Sequence, residues 1–297
     1  MRRALWVLAA VAALSGCAGD EELRELQPGS VATIGVVAAP GPREAFVPRG
    51  VQVAAAAINA AGGIGGAARV ELVVGPANRL RGRGIRLLVL PCDPAAARAG
   101  AAAAPDAVAI APCDDGAPLG SGVFTTGLSP ARQAELLSEH VDGRAVLAEP
   151  RSARGRRVRS ALDAVLEGSG NARVSPEAPE GVLPPPDPEG TIYATYGFPE
   201  PGSELDEFYE RFKAVFDGRP ASIVAALASD AMSALAVAIE LAGTTEPSEV
   251  RRILVEEGFR TSAVLGDIEF RPGDPKAEVG GVVLRAEDGR FRILARG

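Results

Sequence analysis

Catalysis needs particular side chains within reach of one another, and this sequence holds few of the sets that support it. Its single histidine, His140, follows Ser138 and Glu139. That is a Ser-His-acid set on paper, but no Gly-x-Ser-x-Gly elbow exists to expose a nucleophile. His140 closes an amphipathic stretch (Leu136, Leu137, Val141), where a helix C-terminus favours a surface histidine through its dipole. One histidine cannot make the cluster that zinc or iron requires. No Gly-x4-Gly-Lys-Ser/Thr phosphate loop occurs either. The inventory argues against an enzyme and implies neither a metal nor a cofactor.

One glycine-rich segment has the spacing of a dinucleotide-binding fingerprint. Gly63-Ile64-Gly65-Gly66-Ala67-Ala68 fits G-x-G-x-x-A, but that fingerprint works only between a strand and a following helix, whose N-terminus faces the pyrophosphate. Here a helical pattern (Val47, Val51, Ala54, Ile58) comes first and the strand-like Val70–Val74 follows. Glycines just past a helix end are caps and turns.

The N-terminus carries the strongest local signal. Met1, Arg2 and Arg3 precede an unbroken apolar run, Ala4–Leu14. The run is too short to span a bilayer, and its charge order fits a secretory signal peptide. It ends in Leu14-Ser15-Gly16-Cys17, which resembles a bacterial lipobox. The expectation is a signal peptide over 1–16, lipidation of Cys17 and a polar tether over 17–30. The chain would then be exported and held at the cell membrane on its extracytoplasmic or periplasmic side. The formal charge is −7, and loss of Arg2 and Arg3 with the leader takes it to −9. A chain that acidic has no electrostatic reason to bind nucleic acid. Export also places Cys92 and Cys113 in an oxidising compartment, where pairs tend to close; two free thiols are the alternative.

The elements that must position these residues alternate. β-type runs fall at 31–38, 70–74, 85–90, 108–111, 144–148 and 191–195. Helical patterns fall at 44–61, 95–104, 130–141 and 155–167, then at 203–216, 221–242 and from Pro247 to Gly258. Asp93-Pro94 supplies an N-cap and a first helical residue. Leu205, Phe208, Tyr209, Phe212 and Phe216 make one apolar helical stripe, read as packing. Residues 175–190, dense in Pro and acid, read as a loop, and 75–84 as a hairpin-like insertion. Strands at 264–270, 281–285 and 290–294 close the chain. Strands alternating with helices predict α/β architecture with parallel sheets covered by helices. The late helices followed by strands predict a chain that crosses between two lobes.

Four segments together resemble the periplasmic binding proteins of the branched-chain amino acid (leucine/isoleucine/valine) ABC transporters. They are Ile34–Val37 with Gly41-Pro42 and Ala57–Gly66; Leu90–Pro94 with Ala111-Pro112-Cys113; Ser229-Asp230-Ala231 with Ala238–Gly243; and Val264–Phe270. The resemblance implies a type 1 periplasmic-binding-protein-like fold: two α/β lobes, each a parallel-sheet sandwich, joined by a hinge with chain crossovers. Lobe one would take 31–126 plus 200–270, and lobe two 127–199 plus 271–297. It also implies a Cys92–Cys113 disulfide, a small-molecule ligand in the cleft and an ABC permease as partner. Candidate ligand residues are Gly41 and Phe46 after the first strand, Asp114 and Asp115 after the second cysteine, and Glu177 in Ser175-Pro176-Glu177. The family has serines where Asp114-Asp115 stand, and a second carboxylate-contacting loop is missing here. An acidic pair would repel a carboxylate and favour an amine-bearing solute. The alternative is a shortened relative without a ligand, acting as a sensory or scaffold lipoprotein.

Overall fold

The computed structural model describes residues 25–297 except 121, 142–143, 167–169, 180–184 and 257. The expected signal peptide, Cys17 and the start of the expected tether lie outside the described residues. Where the description begins, Leu26 N–H donates to the Gly243 carbonyl. The chain then enters β1 (Val31–Val37).

Five parallel strands form the first sheet, in the order β2-β1-β3-β4-β5: β2 is Arg69–Gly75, β3 Leu87–Val89, β4 Val108–Ala111 and β5 Val123–Thr125. β3 and β4 are buried along their whole length, as strands covered on both faces must be. The covers are α1 (Phe46–Ala60), α3 (Pro94–Ala103) and α7 (Ile223–Ala242). Asp93 caps α3 by accepting from Ala96 N–H at 2.7 Å, with Pro94 first in the helix, as its sequence predicts. α7 is long and apolar enough to cross a membrane, yet it is almost wholly buried between α1 and the first sheet. Gly50 of α1 permits that approach: a Cβ there would lie 2.0 Å from the Ala225 carbonyl oxygen.

The second sheet runs β13-β12-β8-β7-β6, with β6 at Val146–Leu147, β7 at Arg173–Val174, β8 at Ile192–Thr195, β12 at Val282–Glu287 and β13 at Arg290–Arg296. β6, β7 and β8 are parallel, and the C-terminal hairpin adds two antiparallel strands. α4 (Pro130–Ser138) packs on α5 (Ala153–Val165) and on β8. α6 (Glu204–Val215) returns to α1, and α8 (Pro247–Glu256) to α7 and β4. A third, antiparallel sheet joins β9 (Phe259–Ala263), β10 (Gly266–Phe270) and β11 (Ala277–Val279). β11 lies past residue 270 in sequence yet pairs with β10.

The chain passes between the two large sheets three times: from β5 to α4, from β8 to α6, and from β11 to β12. The first and third passages touch, since Thr125 bridges Lys276 and donates to the Pro275 carbonyl at 2.9 Å.

Several expectations are corrected. Residues 75–84 hold no hairpin; Ala77–Gly82 is a short helix, α2, whose Ala77 and Leu80 are buried against the first sheet. Its apolar residues are three apart, a helical spacing that the surrounding arginines and glycines obscure. β5, β7, β9 and β11 have no counterpart among the strands read from the sequence, because two to five residues of mixed polarity give too little alternation to read. The glycine segment 62–66, by contrast, is the turn that its position past a helix predicts, with positive φ at four glycines, and a Cβ on Gly63 would lie 2.3 Å from the Ala68 carbonyl oxygen.

Candidate functional site

In open α/β sheets, ligands bind beyond the carboxyl ends of the parallel strands. The candidate residues of this chain all lie there: Gly41 and Phe46 beyond β1, Asp114 and Asp115 beyond β4, and Glu177 beyond β7. The loops after β3 and β4 are tied by the Cys92–Cys113 disulfide, with Cα atoms 5.0 Å apart. Glu44, itself buried, fastens the loop after β1 to them by accepting from Cys92 N–H at 2.8 Å. Three loops of the first sheet thereby form one unit.

Asp114 is buried, and its Oδ1 accepts from Gly116 N–H at 2.6 Å. Its Oδ2 has only the Lys276 ammonium, at 3.7 Å. Asp115 accepts from Ala117 N–H at 3.0 Å and pairs with the Arg157 guanidinium, which also donates to the Asp115 carbonyl at 2.6 Å. Arg154, one turn earlier on α5, donates to the Asp114 carbonyl, to the Leu128 carbonyl at 2.6 Å and to Gln133 Oε1 at 2.9 Å. Its guanidinium carbon lies 5.1 Å from the centre of the Tyr196 ring. Asp114 and Asp115 belong to the first sheet's loops, whereas α5 belongs to the second sheet. The cations opposite the acidic pair therefore come from the chain itself.

Glu177 holds that helix in place. Its Oε1 accepts from the N–H groups of Arg151 (2.6 Å) and Ser152 (2.9 Å), and its Oε2 accepts from the Ser152 hydroxyl at 2.7 Å. Ser152 caps α5 by accepting from Gly155 N–H at 2.8 Å. A carboxylate at a helix N-terminus is also favoured by the dipole. Phe46 sits apart from the acids: its ring is 6.1 Å from Phe212, and the Arg49 guanidinium lies over it at 5.8 Å. Gly41 is exposed with φ of 116°, a conformation open to glycine. The structure thus connects Glu177, through α5, to Asp114 and Asp115, and puts Phe46 in the aromatic packing of α6.

Around this junction several buried polar atoms have no hydrogen-bond partner: Asp114 Oδ2, Thr125 Oγ1, Thr126 Oγ1, Arg154 Nε and Ser175 Oγ. Polar groups of that kind are rare in protein interiors. A groove of about 1220 Å3 lies beside the crossing strands, lined by Arg132, Glu135, Glu269, Arg271 and Lys276 among others. A shallower hollow of about 330 Å3 lies against Gly116, Pro130, Arg157 and Lys276.

The sequence matches no protein-family model and has no significant match among curated proteins. Solved structures do match. The branched-chain amino acid transporter substrate-binding protein of Streptococcus pneumoniae, in complex with isoleucine, superimposes with a TM-score of 0.67 at 16% identity, over 90% of this chain and 99% of that one. The ABC transporter substrate-binding protein of Desulfitobacterium hafniense, in complex with Leu, gives 0.65 at 17% identity, over 89% and 100%. A solute-binding protein from Rhodopseudomonas palustris in complex with 3,4-dihydroxybenzoic acid gives 0.68 at 12% identity, over 90% and 97%. This chain has the type 1 periplasmic binding protein fold.

Within that binding-protein fold, sequence reasoning missed Glu44, Gln133, Arg154, Arg157, Tyr196 and Lys276. The run Arg151–Arg159 holds five arginines, and a cluster at the start of a helix with no acid in its first turn was the available signal. Cations at that end oppose the helix dipole, so their placement calls for partners elsewhere. Among the described residues no group of three or more metal-ligating side chains occurs. His140 follows α4, where its Nδ1 lies 2.9 Å from the Leu136 carbonyl oxygen.

Proposed function

We propose that this chain is the extracytoplasmic solute-binding lipoprotein of an ABC-type importer. It closes two lobes on a small molecule, performs no catalysis and delivers the molecule to a permease. Lobe one is 31–126 plus 200–270 and lobe two 127–199 plus 271–297, apart from β11, which pairs with β10 of lobe one, and Cys17 carries the membrane anchor. The observation that supports the reading best is the set of unpartnered buried atoms (Asp114 Oδ2, Thr126 Oγ1, Ser175 Oγ) just past the ends of strands in the two large sheets. Strand ends at such a position are where this architecture recognises ligands. The matched structures hold an amino acid or an aromatic acid, and an amino-acid-like or amine solute suits the polar lining here.

A second reading is a shortened relative that has no ligand and serves as a sensory or scaffold lipoprotein. Arg154 and Arg157 favour it, because they already join the two halves, and so does the commitment of Glu177 to the α5 N-terminus. Thermal shift against amino acids, polyamines and aromatic acids separates the two. A true ligand at a hundred times its Kd stabilises by about 2.7 kcal/mol, a shift of roughly 5–10 °C. No shift across the panel sinks transport and leaves the second reading. Incorporation of labelled fatty acid, abolished by Cys17→Ser, tests the anchor.

A further inference from the structure

Arg154 occupies a site built for a guanidinium. Its acceptors are the Asp114 carbonyl, the Leu128 carbonyl and Gln133 Oε1, and the Tyr196 ring covers its face. Gln133 is wholly buried, and its Nε2 donates to the carbonyls of Ala194 (3.1 Å) and Pro176 (3.3 Å). That pair of bonds fixes the amide so that Oε1 must face the cation. Tyr196 is buried too. A planar fork of donors with an aromatic face beside it matches a guanidinium and not an ammonium, which has neither the plane nor the span. The acceptors come from a loop of the first sheet, from the hinge and from α4, so the site exists only while the halves are together.

The occupant fits the site less well than the site fits a guanidinium. Arg154 Nε is buried without a partner, and Asp114, whose carbonyl accepts from the same guanidinium, has an Oδ2 with no hydrogen bond and only the Lys276 ammonium at 3.7 Å. The side chain also springs from the first turn of α5, the positive end of a helix dipole. A free solute could keep the same acceptors and avoid that end of the helix.

We infer that the Asp114–Leu128–Gln133–Tyr196 site recognises guanidinium-bearing solutes, with Arg154 as a built-in occupant that such a solute displaces. The inference rests on the solute-binding reading and names its ligand class. Calorimetric titration of the purified chain with agmatine, L-arginine, putrescine and L-leucine tests it, in wild type and in Arg154→Met. When a competitor fills a site nine-tenths of the time, removing it tightens binding about tenfold. Agmatine should therefore bind wild type and bind Arg154→Met at least about tenfold tighter, with putrescine weak on both. Arg154→Lys, which keeps the charge across the junction, serves if the methionine variant does not fold; it should show a smaller gain. Equal affinity in wild type and variants overturns the inference. Binding by the variants alone, with none to wild type, overturns displacement. If leucine binds and guanidinium compounds do not, the ligand class is wrong while solute binding stands. If nothing binds either form, the solute-binding reading itself fails.

Discussion

Asp230 lies in the middle of α7, 3% exposed, and its two carboxylate oxygens accept from the N–H groups of Val264 (2.8 Å) and Leu265 (3.0 Å). It fastens the β9–β10 turn to the core. Burial pushes its pKa up from 3.8 to about 7; the two N–H groups oppose that rise, and the charge of Glu204 adds to it. The folded state therefore binds a proton that the unfolded state releases between pH 3.8 and 7. A raised folded pKa contributes stability that is complete below 3.8 and lost as pH rises through 7. Between pH 5 and pH 8 this one group should weaken the fold by roughly 2–3 kcal/mol. Other carboxylates titrate as well: Asp267, exposed, and Glu287, half-buried, are held low by arginines and act in the opposite direction. Subtracting an Asp230→Asn variant removes their contribution. The asparagine cannot titrate, but its amide nitrogen faces an N–H, so it should lose about 1–3 kcal/mol at low pH. Urea unfolding of both proteins at half-unit steps from pH 5 to 8 gives the difference curve. The wild-type advantage should fall by roughly 2–3 kcal/mol toward high pH, to about zero or below, because wild type then buries a charge and the variant does not. A flat difference curve would show that Asp230 does not take up the proton, and the burial argument would fail.

Three further outcomes follow from single contacts. Reducing Cys92–Cys113, which closes a loop of 21 residues, should lower stability by roughly 3 kcal/mol, read by denaturant titration with and without reductant. Gly50→Ala should destabilise by at least about 2 kcal/mol, because α1 must move off the Ala225 backbone; an unchanged melting temperature would mean that α1 and α7 are not packed as described. Glu177→Ala removes the acceptor for three donors at the start of α5 and should cost about 1–2 kcal/mol. Amide exchange at Arg151 and Ser152 should then speed up, and unaltered exchange would place the Glu177 carboxylate elsewhere.

The sequence determined what depends on neighbours along the chain. Periodicity located β1, β4, α1, α6 and α7, and Asp93-Pro94 marked the start of α3, because these signals are local. The inventory of one histidine and no phosphate loop bounded the chemistry without any coordinates. Tertiary structure decided everything about who meets whom. Nothing in Ser175-Pro176-Glu177 announces that the carboxylate turns toward the N–H groups of Arg151 and Ser152. Nothing in Asp114-Asp115 shows that Arg157 and Lys276, 42 and 162 positions later, stand opposite. Short strands such as β5 escaped for the same reason: their pairing stabilises them, and pairing is long-range. An ion pair or a cage acts across space between segments that share no sequence period, so only the folded chain could place Arg154 among its acceptors.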